Sequence, residues 1–470
     1  MASIKRGTTL ELEIEAFADK GKSVARVGDM EIQVSGAVPG DKVRATVVRT
    51  RRKKGLAEAR LEEVLEASDL RTSPRCIYAY YCGGCQWQHV AYEAQLVSKQ
   101  RRVEEIFQAH GLDPAIMRPT IGSEQIFYYR NKMEFSFSAQ RWLTPDEIAS
   151  EATYDRDFAL GLHVPGHFDK VLDLQVCYLQ SELSVQLVNA IREFAKEHRW
   201  EPWDIRRSEG YLRHLVIRQG EHTGEVMVNL VTNRYDPERM ELLGAYLQER
   251  FPAVTTFVNT INSSVAQTAF GETTHVIFGP GHIHDRIGPY LFRIGPMAFF
   301  QTNTRQAERL YEVAREFAEL QSDDLLYDLY CGAGTISLFM APHVKHVVGI
   351  ELVEEAIENA RTNAELNNIH NCTFYAGDTR DIFSDALVQR HGAPDVLITD
   401  PPRAGMHAKV VEQIARLRPP RLVYVSCNPQ TQARDIAMLA DMYTVETVQP
   451  VDMFPHTHHI ESVASLRLRE

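Results

Sequence analysis

A β-branched run, Leu422-Val423-Tyr424-Val425-Ser426, delivers one thiol, Cys427, to the end of a predicted strand, and Asn428-Pro429 stops the strand there. A thiolate so placed is a nucleophile for an electron-poor ring. Free cysteine is also among the most buried residue types, so the run alone would equally describe a cysteine that closes a strand. Two other features favour chemistry. Upstream stands Asp400-Pro401-Pro402-Arg403-Ala404-Gly405, and near the end of the chain Glu461 follows a His-rich segment. Methylation of C5 of a uracil requires such a set, because C5 is a poor nucleophile until a thiolate adds at C6 and turns it into an enolate-like carbanion. The C5 proton must then leave to a base within hydrogen-bond reach. Cys427 and Glu461 have the right types for these roles, and Asp400 can hold the uracil N3–H. Enzymes that methylate exocyclic amines carry Asn-Pro-Pro-Tyr in place of the Asp-Pro-Pro-Arg found here.

A methyl donor needs its own site. Asp328-Leu329-Tyr330-Cys331-Gly332-Ala333-Gly334-Thr335 reads as a strand, a tight Gly-x-Gly turn and a helix start. A dinucleotide fingerprint would place a third glycine where Ser337 stands, so a cofactor without a pyrophosphate fits better. Glu351 closes the next strand, where a carboxylate can accept from ribose hydroxyls. Asp378 follows a third strand and is placed to meet an adenine edge. In this order the elements point to S-adenosylmethionine.

These residues must be held by strand–helix alternation. From residue 291 the pattern reads strand Leu325–Tyr330, helix from Thr335, strand Val347–Ile350, helix Val353–Leu366, then strands Cys372–Tyr375 and Val396–Thr399. Helix Lys409–Ala415, strand Arg421–Val425 and helix Gln432–Ala440 follow. Such alternation predicts an α/β, Rossmann-like parallel sheet covered on both faces, with ligands at the carboxyl ends of its strands. Residues 1–65 read instead as short strands broken by Gly21, Gly28-Asp29 and Pro39-Gly40, the signature of a small antiparallel β-barrel. Residues 66–290 mix helices and strands and predict a central α+β domain, with Lys99, Arg101 and Arg102 on the exposed side of a helix over 91–109. The expected division is therefore 1–65, 66–290 and 291–470.

The 470-residue chain has a net charge of −12, which argues against a uniformly basic nucleic-acid binder. Its first 60 residues nevertheless carry 13 Lys/Arg against 8 Asp/Glu, peaking at Arg49-Thr50-Arg51-Arg52-Lys53-Lys54, a cluster able to neutralise phosphates. No long apolar run and no leader at Met1 is visible, so a cytoplasmic protein without a membrane span is expected.

Of the seven cysteines, Cys76, Cys82 and Cys85 are bunched, and Cys177 stands alone in the middle region. Four thiolates can bind Zn²⁺ or a [4Fe–4S] cluster. The nearby Tyr78, Tyr80, Tyr81 and Trp87 can stack on unpaired bases or roof a metal centre.

The chain resembles, over essentially its whole length, the iron–sulfur-containing RNA uracil-C5 methyltransferases that act on 23S ribosomal RNA. Asp400-Pro-Pro-Arg-Ala-Gly, Ser426-Cys-Asn-Pro and the late Glu461 carry the resemblance. It implies that Cys427 is the nucleophile and Glu461 the base. It further implies that Gln301, in Phe299-Phe300-Gln301-Thr302-Asn303, touches cofactor and substrate, and that Tyr330, Glu351, Asp378 and Asp400 contact S-adenosylmethionine. Cys76, Cys82, Cys85 and Cys177 would hold a [4Fe–4S] cluster, and the first domain would be a TRAM-type RNA-binding barrel. Thr335 and Asp378 stand where a well-known ribosomal member has Asn. The expected partner is 23S rRNA, with tRNA as the alternative substrate and a non-catalytic iron–sulfur RNA-binding factor as the reading from another class. The protein is expected to act as a monomer.

Overall fold

The computed structural model describes residues 4–469, so Met1, where a leader was sought, lies outside the described residues. Three large sheets order the chain. The first takes its strands from Thr9–Glu13 to Leu56–Glu66 and buries Ile32, Val34, Val43, Ala45 and Ala57 on one face. Its pairing is antiparallel apart from Met30–Ser35 beside Leu56–Glu66, which run parallel. Arg52–Lys54 caps the hairpin between its two longest strands, so the basic cluster projects at a tip.

An eight-stranded mixed sheet follows, with Leu212–Gln219 and Val226–Thr232 near its middle. Both strands are buried along almost their full length, because helices and loops cover both faces.

The third sheet positions the candidate site. Its seven strands run in the order Cys372–Ala376, His346–Glu351, Leu325–Leu329, Val396–Thr399, Arg421–Ser426, Glu461–Leu468, Tyr443–Val451. The first five are parallel, as their apolar, β-branched sequences predict. The last two depart from the all-parallel expectation. Tyr443–Val451 and Glu461–Leu468 form an antiparallel hairpin, and the second of these inserts beside Arg421–Ser426. Only Tyr443–Val451 is at the sheet's edge, and the pair is exposed chiefly at the end that holds Thr444, Glu446 and Arg467, whereas residues 461–465 and 448–451 are buried.

Helix Tyr92–Ala109 corrects a second expectation. Val103 and Phe107 bury against the third sheet's core, and Lys99 points inward at 0% exposure, whereas Arg101 stays in solvent. The helical period alone cannot show which charged residue faces the core when that residue has a buried partner. Among the described residues no helix is long and apolar enough to cross a membrane.

Candidate active site

The cofactor end is built at the crevice where Leu325–Leu329 has neighbours on both sides. Just past the strand stands Tyr330, a non-glycine residue at φ 66°, and Gly332 and Gly334 follow at φ 54° and 78°. A side chain at Gly334 would sit 3.0 Å from Ala360 Cβ as well as in a left-handed conformation, so glycine is required there. Glu351 accepts from the backbone N–H of Gly332 at 3.2 Å and of Val353 at 3.0 Å, which fixes its carboxylate beside the turn. Ser337, at the missing third glycine, donates its hydroxyl to buried Asp328 at 2.5 Å. Burial still pushes the Asp328 carboxyl up to about 7.

Asp378 lies beyond strand Cys372–Ala376 and caps the short helix Thr379–Ile382. Its carboxylate accepts from the backbone N–H and the Nε of Arg380, each at 2.9 Å, and that guanidinium holds it down to about 2. Gln301 is buried, and its carbonyl accepts from Asn131 Nδ2 at 2.7 Å. The same amide donates to Thr304 Oγ1 at 2.8 Å, so the central sheet staples the Gln301 segment to the start of helix Thr304–Ala318. Buried Arg218 supports the same segment by donating to the Pro296 and Ala298 carbonyls. Phe299 is left 71% exposed beside Gln301.

Cys427, Glu461 and Asp400 converge at the carboxyl end of the same sheet. Burial, and then the charges of Glu461 and Asp400, push the Cys427 thiol up to about 11, while Arg403 opposes them by a hydrogen bond and by its charge. Glu461 is 4% exposed; burial first and Asp400 second hold its carboxyl well above the usual carboxylate range, again opposed by Arg403. Asp400 is pushed up to about 7 by burial and by Asp328. The Cys427 thiol and the Glu461 carboxyl therefore share one cation, Arg403. The backbone carbonyl of Arg403 accepts from Asn428 Nδ2 at 2.9 Å, which ties the Asp-Pro-Pro-Arg loop to the residue after the thiol.

From sequence alone, Arg403 is named only as part of its motif and Tyr311 is not singled out. Tyr311 is fully buried, shares a hydrogen bond with Thr335 Oγ1 at 2.9 Å, and feels the charges of Asp400, Asp328 and Glu461 together. Its helical spacing gave no sign of that; the adjacency of Arg403 to Asp400 did.

Cys76, Cys82, Cys85 and Cys177 line one small cavity together with Leu162, Leu174 and Leu179. N–H groups point at the sulfurs: Tyr78 N at 3.4 Å from Cys76, Gly84 N at 3.3 Å from Cys82, and Gln88 Nε2 at 3.3 Å from Cys85. Burial raises all four thiols, Cys85 to about 12. Among the described residues no group of three or more His, Cys, Asp or Glu side chains is drawn tightly enough together to hold a metal ion. Trp87 is buried and donates to the Gly21 carbonyl at 3.0 Å, so it joins the first sheet to the cysteine loop, and Tyr80 is the aromatic left 49% exposed.

The third sheet, its glycine turn and the acid-flanked thiol define a methyltransferase fold with a thiol at its strand ends. The family model described as tRNA (uracil-5-)-methyltransferase matches residues 224–469. An uncharacterized RNA methyltransferase of Bacteroides thetaiotaomicron is 45% identical over 457 residues, covering 96% of this chain and 100% of its own length. One from Chlorobaculum tepidum is 42% identical over 473 residues, covering 99% and 98%. The crystal structure of the Pyrococcus abyssi tRNA (uracil-54, C5)-methyltransferase in complex with S-adenosyl-L-homocysteine is 30% identical, with a TM-score of 0.75 over 97% of this chain and 100% of that one. The chain belongs to the RNA uracil-C5 methyltransferase family and is an RNA (uracil-5-)-methyltransferase.

Proposed function

We propose that this enzyme forms 5-methyluridine at one uridine of 23S rRNA through a covalent adduct between Cys427 and C6. The observation that carries this reading is the meeting of Cys427, Glu461, Asp400 and Arg403 at one strand end beside the Gly332–Gly334 turn. S-adenosylmethionine supplies the methyl group and leaves as S-adenosylhomocysteine. Glu351, Tyr330, Gln301, Asp378 and Asp400 line its site; the Glu351 carboxylate, already oriented by the Gly332 and Val353 amides, keeps lone pairs for the ribose hydroxyls.

Arg403 stabilises the Cys427 thiolate, which adds to C6 and drives the ring electrons onto C5 and O4. Asp400, held near neutrality, presents hydrogen-bonding oxygens to the N3–H edge. C5 takes the methyl group, Glu461 takes the C5 proton, and the C6–sulfur bond breaks to return the thiolate. Glu461 must be ionised to accept that proton, and Arg403 is the cation that favours this form.

Cys76, Cys82, Cys85 and Cys177 are the residues that would hold a [4Fe–4S] cluster, although they are not drawn together tightly enough for a single metal ion: four thiols line one cavity, and N–H donors aim at the sulfurs as they would at thiolates. Its role is structural, shaping the loop between the first and second sheets. Anaerobically purified protein should be brown and hold about four irons per chain; stoichiometric zinc without iron would refute the cluster. Residues 1–65 supply RNA affinity, 66–290 hold the cluster, and 291–470 perform the transfer. The likeness to the Pyrococcus abyssi enzyme favours a tRNA substrate as the second reading. Mapping 5-methyluridine in rRNA and tRNA from cells lacking this protein decides between them, since one uridine should lose its methyl group in 23S rRNA and none in tRNA.

A further inference from the structure

Residues 452–460 form a strap between strands Tyr443–Val451 and Glu461–Leu468, and this strap delivers Glu461 to the site. It is gripped from outside at successive residues. The Asp452 carboxylate accepts from Lys99 Nζ at 2.7 Å and Tyr92 Oη at 2.9 Å, and its carbonyl accepts from Gln306 Nε2 at 2.9 Å. The Met453 carbonyl accepts from Asn303 Nδ2 at 3.1 Å, that of Phe454 from Lys99 Nζ at 3.2 Å, and that of Pro455 from Tyr129 Oη at 3.0 Å.

His456 is held on both sides. Its N–H donates to Gln95 Oε1 at 2.9 Å, and its carbonyl accepts from the Gln86 and Trp87 amides of the cysteine loop at 2.9 and 3.0 Å. The residue sits at φ 64°, in the left-handed region that only a few per cent of non-glycine residues occupy, His among the more frequent of them. Strain of that kind persists only where the surroundings over-determine it. Burial and the Lys99 charge pull its imidazole down to about 4, so the ring is neutral, and its Nδ1 lies 3.2 Å from Gln95 Nε2.

Tyr92, Gln95 and Lys99 are spaced at three and four residues, which stacks them on one face of helix Tyr92–Ala109. That face is polar where the core would accept apolar side chains. Lys99 and Asp452 are both 0% exposed, and a buried ion pair is weak as a source of stability. Its value must lie in geometry. We propose that Lys99 and Gln95 are positioning residues that hold the strap, and through it the Glu461 carboxylate, in register with the C5 proton. Gln95 also donates to the Trp87 and Val90 carbonyls, so the cysteine loop and the base are set through the same side chain. The inference rests on Glu461 being the base.

Single-turnover assays with RNA tritiated at uridine C5 separate the steps, because adduct formation reads attack and methyl transfer while tritium release reads proton removal. Two variants are compared with wild type: Gln95→Leu, and the double variant Lys99→Met with Asp452→Asn, which leaves no unpaired buried charge. Both should form the adduct at a rate near wild type yet release tritium about 10- to 100-fold more slowly, as a displacement near 1 Å would cause. Unchanged tritium release would overturn the inference, as would a parallel fall in both rates with a lower melting temperature, which marks a merely structural role. Glu461→Gln is run alongside. If it fails to accumulate adduct, the base assignment falls and the positioning role with it; if it accumulates adduct and the strap variants do not, only the positioning role falls.

Discussion

Ser426 pairs with Ser462 in the last rung of the antiparallel ladder between Arg421–Ser426 and Glu461–Leu468, so the next residue on each strand, Cys427 and Glu461, lies at the same end of the sheet. The thiol and the acid are thus neighbours by register, although one follows a parallel strand and the other begins a hairpin strand. The Glu461 charge, with that of Asp400, raises the thiol beyond the effect of burial. On the proposed mechanism, this register sets the nucleophile and the base on the same side of the site.

Cys427→Ala should abolish both methyl transfer and exchange of the C5 hydrogen, since without addition at C6 no carbanion forms. Transfer of labelled methyl to RNA should fall by at least ~10³-fold, a loss of the size expected when a covalent nucleophile is removed. Cofactor affinity, measured by calorimetry, should hold.

Glu461→Gln should separate from it by step. Attack and methylation remain, proton removal does not, and a methylated RNA–protein adduct should build up as a shifted band on a denaturing gel. Equal loss of adduct in both variants would show that Glu461 acts earlier than the base step.

Arg403 is the cation shared by Cys427 and Glu461, and its removal has a definite sign. The thiolate fraction rises with pH toward the Cys427 value of about 11, and Arg403 lowers that value. Arg403→Met should therefore move the pH profile of adduct formation to higher pH, with the largest rate loss near neutrality. Rates between about pH 6.5 and 9.5 on 5-fluorouridine RNA check this, and an unmoved profile would remove Arg403 from the mechanism.

Much of this site was legible because its residues sit where strands stop, and strand stops are written in turn residues such as Pro401-Pro402, Gly332-Ala333-Gly334 and Asn428-Pro429. Glu351 was placed by the same logic. The final hairpin escaped because Tyr443–Val451 and Glu461–Leu468 break the strand–helix alternation, and nothing local marks an antiparallel insertion. Lys99 was misplaced because a charged residue at a helical position reads as exposed until its partner, Asp452, is brought next to it by the fold. Arg380 engages Asp378 only through the turn geometry of that short helix, which no spacing rule shows.

Removing residues 1–65 should weaken RNA binding and flatten its dependence on salt, because the Arg49–Lys54 cluster would no longer release phosphate counterions. Affinity for S-adenosylmethionine should stay near that of the full chain. Filter binding across a salt series and calorimetry make the comparison, and equal loss of both affinities would contradict the division of labour among the three regions.

The central claim is that Cys427 adds to C6 of the target uridine, and 5-fluorouridine RNA tests it most directly. Fluorine cannot leave C5 as a proton does, so wild-type enzyme with S-adenosylmethionine should be trapped as a stable conjugate. Digestion and mass spectrometry should then find a methylated fluorouridine on the peptide that contains Cys427. A wild-type enzyme that methylates ordinary RNA but never becomes attached to the fluorinated RNA, or becomes attached through another residue, would contradict the account.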